Sequence, residues 1–260
     1  MECLKFHECE LCERSFSCEY DKHTHNSWVR KTRMELIKKV ILVNSVKGGL
    51  GATAFSCAFA AKIASLGFKT GLIETSLSSI MPEYLEYDAQ KGLEIMMDGI
   101  VPPLSEYNFF YLSPSLFMQK ERKPLFWDAE AVVKFIRKII INTNWGELDY
   151  LVVDMSSSQT GLLKEIKAFF DKKLFYAVVL VDFKEAESAQ SMFHIEYVKT
   201  LADSVCVLNS PSKGPKSKGE PNDLPFVEEL FCSGAKTSDV VRSIMKPYGK
   251  VLEEVTKNCL

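Results

Sequence analysis

Four cysteines near the start of the chain are spaced closely enough to bind a metal: Cys3, Cys9, Cys12 and Cys18. Four thiolates joined by such short links can surround a cubane iron–sulfur cluster or a tetrahedral zinc ion. The spacing alone leaves iron, zinc and an unmetallated tail open, and a histidine could replace Cys3 as the fourth ligand: His7, His23 or His25. The other cysteines stand singly and are expected to pack as small apolar residues: Cys57, Cys206, Cys232 and Cys259.

A glycine-rich segment, SVKGGLGAT (Ser45–Thr53), lies between an apolar run and a helical pattern. Gly48, Gly49 and Gly51 let the backbone curl so that its N–H groups point inward, in front of the positive end of the next helix. Such a concavity binds phosphate. The alternative is a plain glycine-rich turn between a strand and a helix.

The usual phosphate-binding pattern, G-x-x-x-x-G-K-[ST], is only half present. Val46 stands at its first glycine and Ala52 at its lysine, so that only Gly51 and Thr53 match. Judged by this pattern alone, the segment would not be identified as a P-loop.

The elements that must position these residues alternate between strand and helix. Apolar runs predict strands at Val40–Val43, Lys69–Glu74, Phe109–Leu112, Tyr150–Asp154, Ala177–Val181 and Val205–Asn209. Helical spacing predicts helices at Ala54–Leu66, Asp128–Asn142, Leu162–Phe170 and Ala186–Leu201, with one or two more over Ser238–Thr256. Continuous apolar strands alternating with helices predict an α/β fold, a mostly parallel, doubly wound sheet with helices on both faces.

Residues 1–30 show no convincing hydrophobic period. We therefore predict a cysteine-rich N-terminal segment over residues 1–33, followed by one α/β domain over residues 34–260. Ligands of open α/β sheets bind beyond the carboxyl ends of the strands. Three polar or glycine-rich segments follow predicted strand ends, namely Ser45–Thr53, Glu74–Ser79 and Asp154–Gly161. The segment Ser210–Asp223 is rich in Pro, Gly, Ser and Lys and predicts a mobile loop.

The amino-acid composition indicates which kinds of partner to expect. The 260 residues are 47% hydrophobic and 25% charged, with a formal net charge of −2. This balance gives no electrostatic reason to expect nucleic acid or an anionic membrane as a partner. No apolar run is long enough for a transmembrane helix, and no signal peptide is evident, so we expect a cytoplasmic protein.

With Lys47 included, the glycine loop resembles the deviant P-loop K-G-G-x-G-K-[ST] of the MinD/ParA/Mrp superfamily. The resemblance implies that Lys47 reaches across a dimer interface to the partner's nucleotide, that the three glycines cradle phosphate, and that Thr53 ligates magnesium. Ala52 replaces the lysine that contacts the β- and γ-phosphates within the subunit. Losing such a charge-assisted contact costs about 1.5–3 kcal/mol, so the resemblance implies ATP binding weakened about ten- to a hundredfold.

The switch segments also resemble the family and depart from it. In ETSLSSIMP (Glu74–Pro82), which corresponds to the family's D-A-D-I-Y-G-P-S, Ser76 replaces the aspartate that positions attacking water. WGELDYLVVD resembles the family's Walker B strand, which implies that Asp154 is the magnesium partner. The following P-P-G-T-G-D is here SSSQTG. Asn209 matches the asparagine that reads adenine, or is simply a residue of a strand-end turn. No catalytic residue is assigned, and hydrolysis is expected to be weak or absent.

The cysteine segment resembles the N-terminal cluster motif, C-x2-C-x5-C, of eukaryotic-type Mrp relatives. The resemblance favours an iron–sulfur cluster, of the 4Fe-4S type, over zinc. Mrp-type carriers also have a C-x-x-C after the asparagine strand, through which two subunits share a labile cluster. The corresponding loop contains no cysteine, so the resemblance does not extend to that bridging cluster.

These features together predict a degenerate Mrp/MinD-type ATPase that carries or assembles iron–sulfur clusters. The alternatives are a non-hydrolysing regulatory subunit that pairs with an intact paralogue, and, less favoured, a positioning ATPase of the ParA/MinD kind. The implied partners are a second copy in a homodimer, or a paralogue in a heterodimer, and iron–sulfur client proteins.

Overall fold

The computed structural model describes residues 3, 5–76, 81–85, 93–117, 129–170, 173–211, 223–224, 241 and 244–259. Its strands are β1 (Ile37–Ser45), β2 (Thr70–Glu74), β3 (Glu94–Met96), β4 (Gly99–Val101), β5 (Phe110–Leu112), β6 (Leu148–Asp154), β7 (Leu174–Asp182) and β8 (Ser204–Ser210). Its α-helices are α1 (Lys22–Glu35), α2 (Ala52–Ser65), α3 (Met81–Tyr84), α4 (Ala129–Asn142), α5 (Leu163–Phe169), α6 (Ala189–Lys199) and α7 (Gly249–Cys259).

The central sheet has the strand order β5-β2-β6-β1-β7-β8. Every neighbouring pair in it is parallel. All the carboxyl ends of its strands therefore meet at one edge, which we call the carboxyl edge, and the amino ends meet at the opposite edge. The predicted α/β class and parallel sheet are confirmed.

Alternate residues of β1 enter two separate apolar cores. Ile41 and Val43 face the core covered by α2 and α7, whereas Val40 and Leu42 face the core covered by α4, α5 and α6. All four are at most 1% exposed. Because both faces of the strand are buried, its sequence is continuously apolar rather than alternating.

Helix α1 was not predicted. Its cap, Asp21, accepts hydrogen bonds from the backbone N–H groups of His23 and Thr24 at 3.1 and 3.3 Å. Val29 and Arg33 are its buried residues, so the helix carries too narrow an apolar stripe for a clear sequence period. The predicted limit between the N-terminal segment and the α/β domain, at residues 33 and 34, falls inside this helix. The division into these two parts stays a prediction.

A two-stranded antiparallel hairpin, β3–β4, was also missed, because its strands have only three residues each. Parts of four predicted segments lie outside the described residues: 77–79, 128, 212–222, and 238–240 with 242–243. Cys232 lies outside them as well. Among the helices that are described, none is both long and apolar enough to span a bilayer.

Candidate functional site

The glycine loop lies at the carboxyl edge, between β1 and α2. Gly49 and Gly51 have φ angles of +78° and +76°, a left-handed conformation that side chains with a Cβ rarely adopt. The loop is held by its flanks, because the Val46 N–H donates to the Leu180 carbonyl at 3.0 Å and Ser210 Oγ donates to the Leu50 carbonyl at 2.8 Å. A Cβ at Gly48 or Gly49 would meet nothing within 4 Å, so open space borders the loop.

Asp154 lies under the amino end of α2. The hydroxyls of Thr53 and Ser56 both donate to its carboxylate, Ser56 Oγ at 2.9 Å from Oδ1. Burial raises the pKa of Asp154 to about 6, although both hydroxyl bonds act to lower it. The structure thus brings together Thr53 and Asp154, the two residues that the resemblance assigns to magnesium, and a hydroxyl and a carboxylate are the hard oxygen donors that magnesium prefers.

Lys47 points back onto its own subunit. Its Nζ lies 2.6 Å from Asp182 Oδ2 and 2.9 Å from Glu185 Oε2. Hydrogen bonds to Asp182 and then to Glu185 raise the pKa of Lys47. Asp182 is buried and ends β7, so the lysine is fixed at the carboxyl edge beside the glycine loop.

The two loops that follow β2 and β6 are connected to each other. Thr75 Oγ1 donates to Gln159 Oε1 at 2.6 Å, and Gln159 Nε2 donates to the Thr75 carbonyl at 2.9 Å. Beside them, the buried Glu74 accepts a hydrogen bond from Ser113 Oγ at 2.8 Å. The polar groups at this edge are therefore bonded to one another in the structure.

Asn209 lies on β8, one residue before its end. Its Nδ2 donates to Asp223 Oδ1 at 3.0 Å, and its carbonyl accepts from the Leu224 N–H at 2.8 Å. The bond to Asp223 orients the side chain at the carboxyl edge. Its reading of adenine stays a prediction.

The four N-terminal cysteines form a loose group around Cys9. The Cys12 N–H donates to the Cys9 carbonyl at 3.1 Å, so these two cysteines lie at the ends of one short turn. Burial raises the pKa of the Cys9 thiol, and the nearby thiols of Cys18, Cys3 and Cys12 raise it further. Within the described ranges, no three Cys, His, Asp or Glu side chains are arranged closely enough to complete a metal site.

The cysteine segment is held by hydrogen bonds to helix α1 and to the α/β domain. The Glu8 N–H donates to Asn142 Oδ1 at 2.7 Å, and the Cys9 N–H donates to Asn26 Oδ1 at 2.7 Å. The buried Arg33 donates to the Phe6 carbonyl at 3.0 Å. The segment is therefore part of the folded structure rather than a free tail.

The cysteines and the glycine loop lie at opposite edges of the sheet. Asn142 and Asn144, which contact Glu8 and Arg33, lie in the connection that leads from α4 to the amino end of β6. The glycine loop follows the carboxyl end of β1, which is paired in parallel with β6. The seven residues of β6 correspond to about 23 Å at ~3.3 Å per residue, so a group bound at the cysteines would not contact bound phosphate directly.

Several residues of the carboxyl edge were not predicted from the sequence. Asp182 ends its strand in a carboxylate, as Asp154 does, and the same strand-end signal could have identified it. Ser56 follows Thr53 by three positions, which places both hydroxyls on one face of a helix. The Thr75–Gln159 contact joins residues 84 positions apart and has no local signal.

Part of the chain matches the sequences of known proteins. A family model described as "ParA: NUBPL iron-transfer P-loop NTPase" matches residues 36–161. An iron–sulfur cluster carrier protein of Clostridium perfringens is 28% identical over 144 residues, 53% of this chain and 51% of that protein. A cytosolic Fe-S cluster assembly factor, the Nubp2 homolog of Drosophila melanogaster, is 29% identical over 125 residues, 46% of this chain and 47% of that protein. The chain thus spans about half the length of these relatives.

Solved structures support the fold. A nucleotide-binding protein from Archaeoglobus fulgidus, in complex with ADP, covers 86% of this chain, and 92% of its own chain is covered. Its TM-score is 0.58 and its sequence identity is 19%. At that identity the likeness concerns the arrangement of strands and helices.

Proposed function

Because residues 36–161 belong to the ParA-type family of NUBPL iron-transfer P-loop NTPases, we propose that this chain carries or assembles iron–sulfur clusters. We propose further that it binds ATP and hydrolyses it weakly or not at all. The observation that carries the proposal is the group of four thiols around Cys9, in the same chain as a glycine loop backed by Thr53 and Asp154. Cysteine thiolates are the usual ligands of such clusters.

In this proposal the cluster is cargo, held by the thiols of Cys3, Cys9, Cys12 and Cys18. The thiols have to draw closer together than they lie in the structure, and the anchored backbone at Glu8 and Cys9 limits how far the segment moves. Burial and neighbouring thiols raise the pKa of the Cys9 thiol, so the thiol is protonated at neutral pH and a bound cluster has to displace its proton. Zinc is the alternative occupant.

Anaerobic reconstitution with iron and sulfide tests the cargo. We expect about four iron atoms per chain and a visible charge-transfer absorption for a cubane cluster. Cys12→Ser should lose both, whereas Cys206→Ser, on β8 at a distance from the segment, should retain them. Zinc retained in place of iron, or equal loading of the two variants, would refute an iron–sulfur site at these cysteines.

Nucleotide binding rests on the positive end of α2 and on the Thr53–Asp154 pair, with Ala52 in place of the lysine. Restoring the charge with Ala52→Lys should strengthen ATP binding about ten- to a hundredfold. Ala52→Gln, of similar length and no charge, should not. Calorimetric titration with magnesium–ATP measures both, and equal affinities for the lysine and glutamine variants would argue against a phosphate at this loop.

A second candidate is a non-hydrolysing regulatory subunit that pairs with an intact paralogue. It is favoured by Lys47, which is held by Asp182 and Glu185 of its own subunit. Rapid ATP turnover by the purified chain would contradict it, as would a nucleotide-dependent homodimer in sedimentation experiments. A positioning ATPase is the least favoured of the three. A cytoplasmic location stays part of the proposal.

A further inference from the structure

The pair Thr75–Gln159 joins the loops that follow two adjacent strands, β2 and β6, on one side of the glycine loop. Thr75 is fully buried, and its side chain and carbonyl are both bonded to the Gln159 carboxamide. The two hydrogen bonds run in opposite directions, one donated by each residue. Such a reciprocal pair fixes the orientation of both groups more strongly than a single bond does.

Both members of the pair depart from the motifs that the chain otherwise resembles. Thr75 stands where the D-A-D motif has alanine, and Gln159 stands where P-P-G-T-G-D has threonine. An alanine side chain has no hydrogen-bonding atom, so the motif residues could not form this pair. The two substitutions, 84 positions apart in sequence, therefore act together in the structure.

Each loop is also anchored to the sheet where it begins. The Thr75 N–H donates to the Asp154 carbonyl at 2.9 Å. Asn44, on the central strand β1, donates from Nδ2 to the Met155 carbonyl at 3.0 Å. The loop after β6 is thus fixed at its start by Asn44 and in its middle by Gln159.

We propose that Thr75 and Gln159 form a clasp that holds the start of the loop after β2 against the loop after β6 whether or not nucleotide is bound. Nucleotide then fills a cradle that is already formed, and its binding or loss leaves this contact unchanged. The chain would thereby differ from a switch, in which bound nucleotide and empty site stabilise different loop conformations. This goes beyond the proposed cluster carriage and does not depend on it.

Hydrogen exchange of the full chain tests the clasp, read on peptides that contain Thr75 and Gln159. In the wild type we expect equal protection with and without magnesium–ATP. Gln159→Ala and Thr75→Ala should each exchange about tenfold faster without nucleotide, since each removes at least one hydrogen bond. Thr75→Ser keeps the hydroxyl and should restore protection. Gln190→Ala, the same change on the exposed side of α6, is the matched control.

Two results would overturn the clasp. One is wild-type loops that become protected only when ATP is added. The other is a Gln159→Ala variant whose loops exchange at the wild-type rate without nucleotide. Calorimetry on the same samples records whether ATP binds. The clasp itself is tested by comparing the wild type with the variants in the absence of nucleotide, so its failure is distinguished from a failure of nucleotide binding.

Discussion

The ammonium of Lys47 lies 2.6 Å from the buried carboxylate of Asp182. Asp182 ends β7, the strand paired with β1, which leads into the glycine loop. A lysine that the family resemblance assigns to a partner subunit is thus neutralised within its own chain. Before it could reach another molecule, it would have to leave both Asp182 and Glu185.

Removing the lysine should therefore destabilise the isolated chain. In Lys47→Ala the buried Asp182 loses its ammonium partner while it keeps the bond from the Lys184 N–H, and we expect a loss of about 1–3 kcal/mol in the free energy of unfolding. Chemical denaturation measures it. Lys184→Ala removes an exposed ammonium nearby and serves as the control. Equal midpoints for the two variants would show that the ion pair contributes nothing to stability.

Asp154 should make stability depend on pH in a defined direction. Its pKa in the folded chain is about 6, above the ordinary 3.8, because burial disfavours the charged form. The folded state therefore binds this proton more tightly than the unfolded state, so its contribution to stability is present at low pH and is lost as pH rises through about 6. The two pKa values correspond to at most about 3 kcal/mol.

Asp154→Asn should remove that dependence, raise the melting temperature above pH 7 and weaken magnesium-dependent nucleotide binding. Melting curves between about pH 4 and pH 8 measure the first two effects. Asp203→Asn, an exposed site, is the matched control. A variant that is no more stable than the wild type at pH 8 would contradict a buried, costly charge at Asp154.

His194 should act in the opposite direction. The side chain is buried on α6, and its Nε2 has no hydrogen-bond partner within the described part of the chain. Burial lowers the pKa of His194 below its ordinary 6.5. The unfolded state then binds the proton more tightly, so stability should fall as pH drops below about 6.5.

His194→Leu should reduce that acid sensitivity, because leucine buries a similar volume with no titrating group. The readout is the difference in melting temperature between about pH 7.5 and pH 5.5, compared with the same difference for His23→Leu at an exposed position. If both variants lose stability on acidification as steeply as the wild type, His194 is not responsible.

Arg33 should hold the cysteine segment in place. It donates to the Phe6 carbonyl at 3.0 Å and to Asn144 Oδ1 at 2.6 Å, and it also contacts the Asp98 carbonyl. Arg33→Ala removes all three bonds, at a cost of about 1–3 kcal/mol for each acceptor left unpaired, and should expose residues 5–12 to faster hydrogen exchange. Arg14→Ala, within the segment and exposed, should not. If hydrogen exchange is unchanged in Arg33→Ala, the segment is anchored by the bonds of Glu8 to Asn142 and of Cys9 to Asn26, without Arg33.

The sequence by itself determined the sheet. Strand and helix positions followed from apolar runs such as Val40–Val43, because a strand buried on both faces must be apolar throughout. The glycine loop and Asp154 were identified because each directly follows a strand. Helix α1 was missed because it buries too few residues to show a period, and the hairpin β3–β4 because its strands are too short.

Only the tertiary structure decided which polar groups meet. Lys47 pairs with Asp182 and Glu185, and Thr75 with Gln159, across separations of 84 positions or more that no local pattern encodes. The fold likewise placed the cysteines at the amino edge, about a strand's length from the glycine loop at the carboxyl edge. Hydrophobic periodicity is a local property of the chain and fixes the elements, whereas hydrogen bonds and ion pairs between distant residues exist only once packing has brought those residues together.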